Sequence, residues 1–130
     1  GCNSIGNILQ HGVILEKATL TFNGIGHIIK GAKGADAQQE SRVLMLSDQA
    51  RSDANPILLI DENDVTAGHA ASIGQVDPED MYYLMSRGLD QATAERLVVR
   101  GFLGSVIVEI PVKEVREEMI QTIEDKLLKR

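Results

Sequence analysis

The sequence is short of cysteine, of aromatic side chains and of positive charge. Its one cysteine is Cys2. A single thiol can neither close an intramolecular disulfide nor build a thiolate metal site, and the shortage fits a reducing compartment. Aromatics make up 3% of the chain against 43% hydrophobic residues. The core must therefore be aliphatic. Acidic residues outnumber basic ones 19 to 13, for a net charge of −6. Residues 1–74 carry five basic and eight acidic side chains, and residues 75–130 carry eight and eleven. Neither half offers a surface suited to nucleic-acid phosphates. No apolar run approaches the roughly 20 residues that a membrane helix needs. Gly1-Cys2-Asn3-Ser4 fits neither a signal peptide nor a natural initiator. The 130 residues are thus read as part of a longer soluble protein holding one domain or two small ones.

Composition changes near Gly74. Nine of the 12 glycines lie in residues 1–74. That half has short apolar runs such as Val13-Ile14-Leu15, Val43-Leu44-Met45-Leu46 and Ile57-Leu58-Leu59-Ile60. Between Lys17 and Asn23 the pattern alternates, with Ala18, Leu20 and Phe22 on one face and Lys17, Thr19 and Thr21 on the other. That is the period of a half-buried strand. Asn23-Gly24, Lys33-Gly34 and Asn55-Pro56 read as turns. Short strands at this spacing suit a sandwich, a barrel or a stacked solenoid.

The second half has helical signals. Asp77-Pro78-Glu79-Asp80 opens a helix, with Asp as N-cap, Pro in the first turn and carboxylates facing the positive end of the dipole. Gly88 is its expected C-cap. Asp90 caps a second helix with the stripe Ala94, Leu97, Val98 and Phe102, weakened at Gly101 and Gly104. Pro111 opens a third, with the stripe Val112, Val115, Met119, Ile123 and Leu127 and a basic end of Lys126, Lys129 and Arg130.

Few residues promise chemistry. His11 and His27 sit among strand residues and read as core-edge histidines with one satisfied nitrogen. His69 lies in Ala67-Gly68-His69-Ala70-Ala71-Ser72-Ile73-Gly74, among the smallest neighbours available. Such a site admits close approach by a ligand or a second chain. Its imidazole suits a metal ligand, a base, or a turn-forming hydrogen bond. Asp61, Glu62 and Asp64 lack a cation-loop pattern and read as a solvated turn. No serine has a nucleophile-elbow context, and Gly24-Ile25-Gly26 is not a dinucleotide fingerprint. The acidic residues of the third helix read as a solvated face. Met81, Tyr82, Tyr83 and Met85 crowd one short helix, so core packing and a partner surface compete there.

The stretch from Ser41 to Phe102 resembles the SufB/SufD family of iron–sulfur cluster assembly proteins. Leu44-Met45-Leu46-Ser47-Asp48, Ala54-Asn55-Pro56-Ile57-Leu58-Leu59-Ile60 and Asp64 to Gly74 carry the match. So do Tyr83-Leu84-Met85-Ser86-Arg87-Gly88-Leu89 and Ala94-Glu95-Arg96-Leu97-Val98-Val99-Arg100-Gly101-Phe102. The resemblance implies a mostly β fold with a helical C-terminal part. Residues 1–74 would end a right-handed parallel β-helix (a β-solenoid), and residues 75–130 would form a small antiparallel helical cluster.

The resemblance also implies a cytoplasmic complex with SufB and the ATPase SufC. SufB would pair through the β-helix end and SufC would dock on the helices, with Tyr82, Tyr83, Met85 and Arg87 as candidate contacts. Self-association of this chain through the same end is a further expectation. SufB-like sequences carry a cysteine near the position of Ser41 and a glutamate where Ala70 stands. SufD-like sequences keep the histidine without that glutamate, and many carry a cysteine where Ala67 stands. The chain is thus similar to the SufD branch, with His69 the one matching ligand candidate. The expected function is a non-catalytic scaffold that holds no cluster stably by itself but shares a transient one at the subunit interface. The alternative is a β-solenoid enzyme, such as an acyltransferase with His69 as base. That enzyme would need a short-period repeat of small aliphatic residues, which is not visible.

Overall fold

The computed structural model describes residues 1–128; Lys129 and Arg130, part of the basic end expected for the third helix, lie outside the described residues. The chain divides into two compact units, one spanning Gly1–Gly74 and one beginning at Gln75.

The first unit consists of five strands: β1 (Ile5–Ile14), β2 (Thr19–Ile28), β3 (Ala35–Met45), β4 (Arg51–Ile60) and β5 (Val65–Gln75). β1, β3 and β5 form a three-stranded sheet in that order, and β2 and β4 form a two-stranded sheet. β1 runs parallel to β3, pairing Gln10 with Ser41, and β2 runs parallel to β4, pairing Asn23 with Asn55. The expected right-handed parallel β-helix is therefore corrected. Hydrogen-bond ladders join strands only within each sheet, so the strands make two open sheets that do not close into a solenoid. The helical C-terminal part is present.

Two of the expected turns are also corrected. Asn23-Gly24 lies inside β2 and Asn55-Pro56 inside β4, where the two dipeptides pair side by side. Asn55 Nδ2 donates to Asn23 Oδ1 at 3.0 Å. This cross-strand amide pair occupies groups that would otherwise fold back on a local turn. The turn at Lys33-Gly34 is real, and Gly34 takes φ +70, a conformation that favours glycine.

Alternation sets the interior. Leu20 and Phe22 of β2 pack on Ile14, Val43 and Ala50, with Met45 beside them. A second cluster joins Ile28, Ala32 and Ala35 to Ala37, Val65 and Ala67. Small side chains fill much of it, as the scarcity of aromatics requires.

The second unit holds α1 (Pro78–Ser86), α2 (Gln91–Ile107) and α3 (Lys113–Leu128). Asp77 caps α1 by accepting from Glu79 N at 2.8 Å, and Asp90 caps α2 by accepting from Thr93 N at 2.8 Å. Arg87 is the C-cap of α1, and Gly88 follows it at φ +94. α2 runs unbroken through Gly101 and Gly104, and a Cβ at either would meet nothing within 4 Å. Neither glycine marks a close helix contact.

The buried face of α2 is Ala94, Val99 and Ile107, and Leu97 is exposed. It is thus rotated from the expected stripe toward Val99, the largest fully buried side chain there. Glu124 of α3 receives Arg96 and Arg100 of α2 at 3.4 Å each. No residue of α1 or α3 is fully buried.

Two outcomes follow from this packing. Val99→Ala removes two buried methyl groups and should lower the stability of the helical unit by about 2 kcal/mol. Chemical denaturation followed by helical circular dichroism checks it. The Asp90 carboxylate is held below the ordinary aspartate value of 3.8, first by the backbone N–H of Thr93 and then by its side chain. A depressed carboxylate contributes fully above its unfolded pKa and loses that contribution as pH falls through the folded value. Helix stability should therefore fall below about pH 4, and Asp90→Asn, which keeps a neutral cap, should remove that share of the acid sensitivity.

Candidate functional site

His69 lies on β5, hydrogen-bonded on one side to β3 and forming the edge of its sheet on the other. Val65 and Ala67 point inward, packed on the Ile28, Ala32 and Ala35 cluster. Strand alternation then places His69, Ala71 and Ile73 on that same inward face. Yet His69 and Ala71 are exposed, and Ile73 is 41% exposed. Beyond Ala67 the strand keeps the sidedness of a core strand without the cover. Its outer edge also presents unpaired backbone groups, the kind that accept another strand.

The small residues around His69 have a local cause. A Cβ on Gly68 would lie 2.6 Å from Gln38 Oε1, so the neighbouring strand leaves no space there. Ala70, Ala71 and Ser72 border an open recess of about 150 Å³, lined across the strand pair by Glu40, Ser41 and Arg42. Arg42 donates to Glu40 from Nε at 2.9 Å and from Nη2 at 3.0 Å. His11, almost fully buried, approaches the same carboxylate at 3.3 Å. The hydrogen bond to His11 and then the Arg42 guanidinium hold Glu40 below the usual carboxylate range. Sequence reasoning missed this ion cluster. The available signal was Glu40 and Arg42 two positions apart, which puts both on one strand face.

The remaining candidates fall elsewhere. His27 pairs with Asp61 at 2.7 Å, largely in solvent. Glu62 accepts from the backbone N–H groups of Gly31 and Asn63, both at 3.0 Å. Those bonds, Gly31 first, lower its pKa. The acidic turn thus closes on its own neighbours. Among the described residues no group of three or more His, Cys, Asp or Glu side chains could hold a metal ion. His69 is a single donor, whereas an iron–sulfur cluster takes a full set of ligands, mostly thiolates. No described helix is long and apolar enough to cross a membrane.

Tyr82, Tyr83, Met85 and Arg87 lie on or at the end of α1, in the other unit, so they do not share a unit with His69. Tyr82 is 76% exposed and Tyr83 56%. Met81 and Leu84 are only half-buried. The Arg87 guanidinium sits 5.2 Å from the Tyr83 ring centroid, and its Nη2 donates to the Tyr83 hydroxyl at 3.2 Å. This stack holds a flat aromatic and a cation at the surface. Such residues are enriched at protein interfaces.

Comparison with known proteins agrees with the sequence resemblance. Residues 1–102 match the family model described as "SUF system FeS cluster assembly, SufBD core domain". The iron-sulfur cluster assembly protein SufD of Bacillus subtilis is 59% identical over 127 residues, covering 98% of this chain and 29% of the relative. A SufBD family protein of Mycobacterium bovis is 46% identical over 97 residues, covering 74% of this chain and 24% of that protein. A second protein of that family from the same organism is 34% identical over 111 residues, 85% of this chain and 13% of its own length. The chain thus spans under a third of the relatives it matches. With both units bearing the resemblance and the match extending over nearly the whole chain, the protein belongs to the SufB/SufD family and is most like SufD.

Proposed function

We propose that this chain is part of a non-catalytic scaffold subunit for iron–sulfur cluster assembly in the cytoplasm. It pairs with SufB along β5 and docks the ATPase SufC on α1. The observation that carries this reading is the uncovered inward face of β5. His69, Ala71 and Ile73 sit where a core strand would be covered, at a sheet edge with unpaired backbone groups. A second chain laid along that edge covers the apolar side chains, completes the ladder and brings its own ligands to His69. In that arrangement His69 contributes one ligand or carries one proton to a transient cluster, and the partner supplies the rest. A second copy of this chain can occupy the same edge when SufB is absent.

The surface on α1 supports the other contact. Tyr82, Tyr83 and Met85 offer exposed area that an interface core favours, and Arg87 is pre-oriented by its stack on Tyr83. SufC bound there transmits its ATP-driven movement to the scaffold, and a rigid-body shift of this kind opens or closes the paired edge.

His69→Ala in the full-length protein should leave folding and SufC binding intact and cut cluster assembly in cells severely. The measurements are iron and sulfide on the copurified complex, together with growth that depends on the assembly system. Full assembly by the variant would remove His69 from the mechanism. Tyr82→Ala with Tyr83→Ala should instead weaken retention of SufC by at least about tenfold, while the melting temperature of the free protein stays nearly unchanged. Undiminished SufC binding would reject α1 as the docking surface.

A further inference from the structure

The two apolar clusters of the first unit are separated by a polar layer. Along the inward face of β3, Ala35 and Ala37 belong to one cluster and Val43 and Met45 to the other. Between them stand Gln39, 3% exposed, and Ser41, 1% exposed. Along the facing strand β2, Leu20 and Phe22 belong to one cluster and Ile28 to the other. The inward positions between them are Gly24 and Gly26. The third member is Gln10 of β1, whose Oε1 accepts from Ser41 Oγ at 2.8 Å.

Gln39 is the anomaly in this layer. Neither its Oε1 nor its Nε2 has a hydrogen-bond partner, although both atoms are buried. A primary amide brings two donors and two lone pairs, and buried polar groups left unmade are rare because each forfeits its hydration. The amide lies directly over the glycines. A Cβ on Gly24 would collide with Gln39 Nε2 and stand 3.0 Å from Gln10 Oε1, and one on Gly26 would stand 3.9 Å from Gln39 Oε1. Two carboxamides and a hydroxyl thus converge where the opposing strand offers no side chains.

We propose that this layer is an internal water site, in which bound water both donates to and accepts from the Gln39 amide and bridges it toward Gln10. Water has the required chemistry: it is small, and it supplies donors and acceptors together. Folded proteins hold on the order of one buried water per 27 residues, usually where polar groups would otherwise lack partners. The site rests on burial and hydrogen bonding within the first unit. It is independent of any assembly partner.

The test is made on the isotope-labelled protein and on Gln39→Met, a substitution of similar volume without polar atoms. In the unaltered protein, the Gln39 side-chain amide protons should show cross-relaxation to long-lived water in NOE and rotating-frame spectra. Gln39→Met should lower the melting temperature by several degrees, because it takes from the buried water the amide that both donates to it and accepts from it. Absence of the water cross-peaks overturns the proposal, whether or not the variant folds. A rise in melting temperature for Gln39→Met also overturns it, since a dry and merely unpaired amide is improved by an apolar replacement.

Discussion

The alternation of side chains along β3 is the constraint on which the first unit depends. β3 is paired on one side with β1 and on the other with β5. Its inward residues touch both apolar clusters and the polar layer between them. A slip of one residue would turn Val43 and Ala35 to solvent and bring Glu40 and Arg42 inside. The Arg42–Glu40–His11 cluster on the outward face therefore reports the correct register as directly as the buried valine does.

From that register follows the condition of β5. Laid against β3, it inherits an inward face, and the facing sheet covers that face only as far as Ala67. His69 gains its accessibility from running past the cover and not from a loop or a pocket of its own. A histidine in this position is attached to a rigid ladder on one side and open to another chain on the other. That combination is the one on which the proposed pairing along β5 rests. It also explains why the small residues around His69 build no site by themselves. Gly68 makes way for Gln38, and Ala70 to Ser72 leave a recess without donors from β5 strong enough to hold a metal.

The helical unit follows different physics. α1 and α2 begin where carboxylates cap them, and the helices of the unit meet through few buried side chains, with Val99 and Ala94 the most enclosed. Much apolar surface stays outside, including Tyr82, Val108, Val112 and Leu128.

The extent to which the residues could be read in advance depended on whether the signal was local. Helix starts at Asp77 and Asp90, the glycine after Arg87, the alternation through Leu20 and Phe22 and the resemblance around His69 are all short-range patterns, and they were legible. The turn expected at Asn23-Gly24 and at Asn55-Pro56 was not a turn. Those residues meet each other across a ladder more than 30 positions apart in sequence, and local propensity is blind to such a partner. The β-helix expectation failed for a related reason: which strands share a ladder, and whether the sheets close, is decided by long-range pairing. Sequence alone determined the aliphatic core, the strand and helix halves, the Asp77 and Asp90 caps of α1 and α2, and the family. Only the tertiary structure decided which side of β5 is left uncovered, that Glu40 is clasped by Arg42 and His11, and that Gln39 is buried among glycines, because each of these depends on what the neighbouring strands place beside a residue.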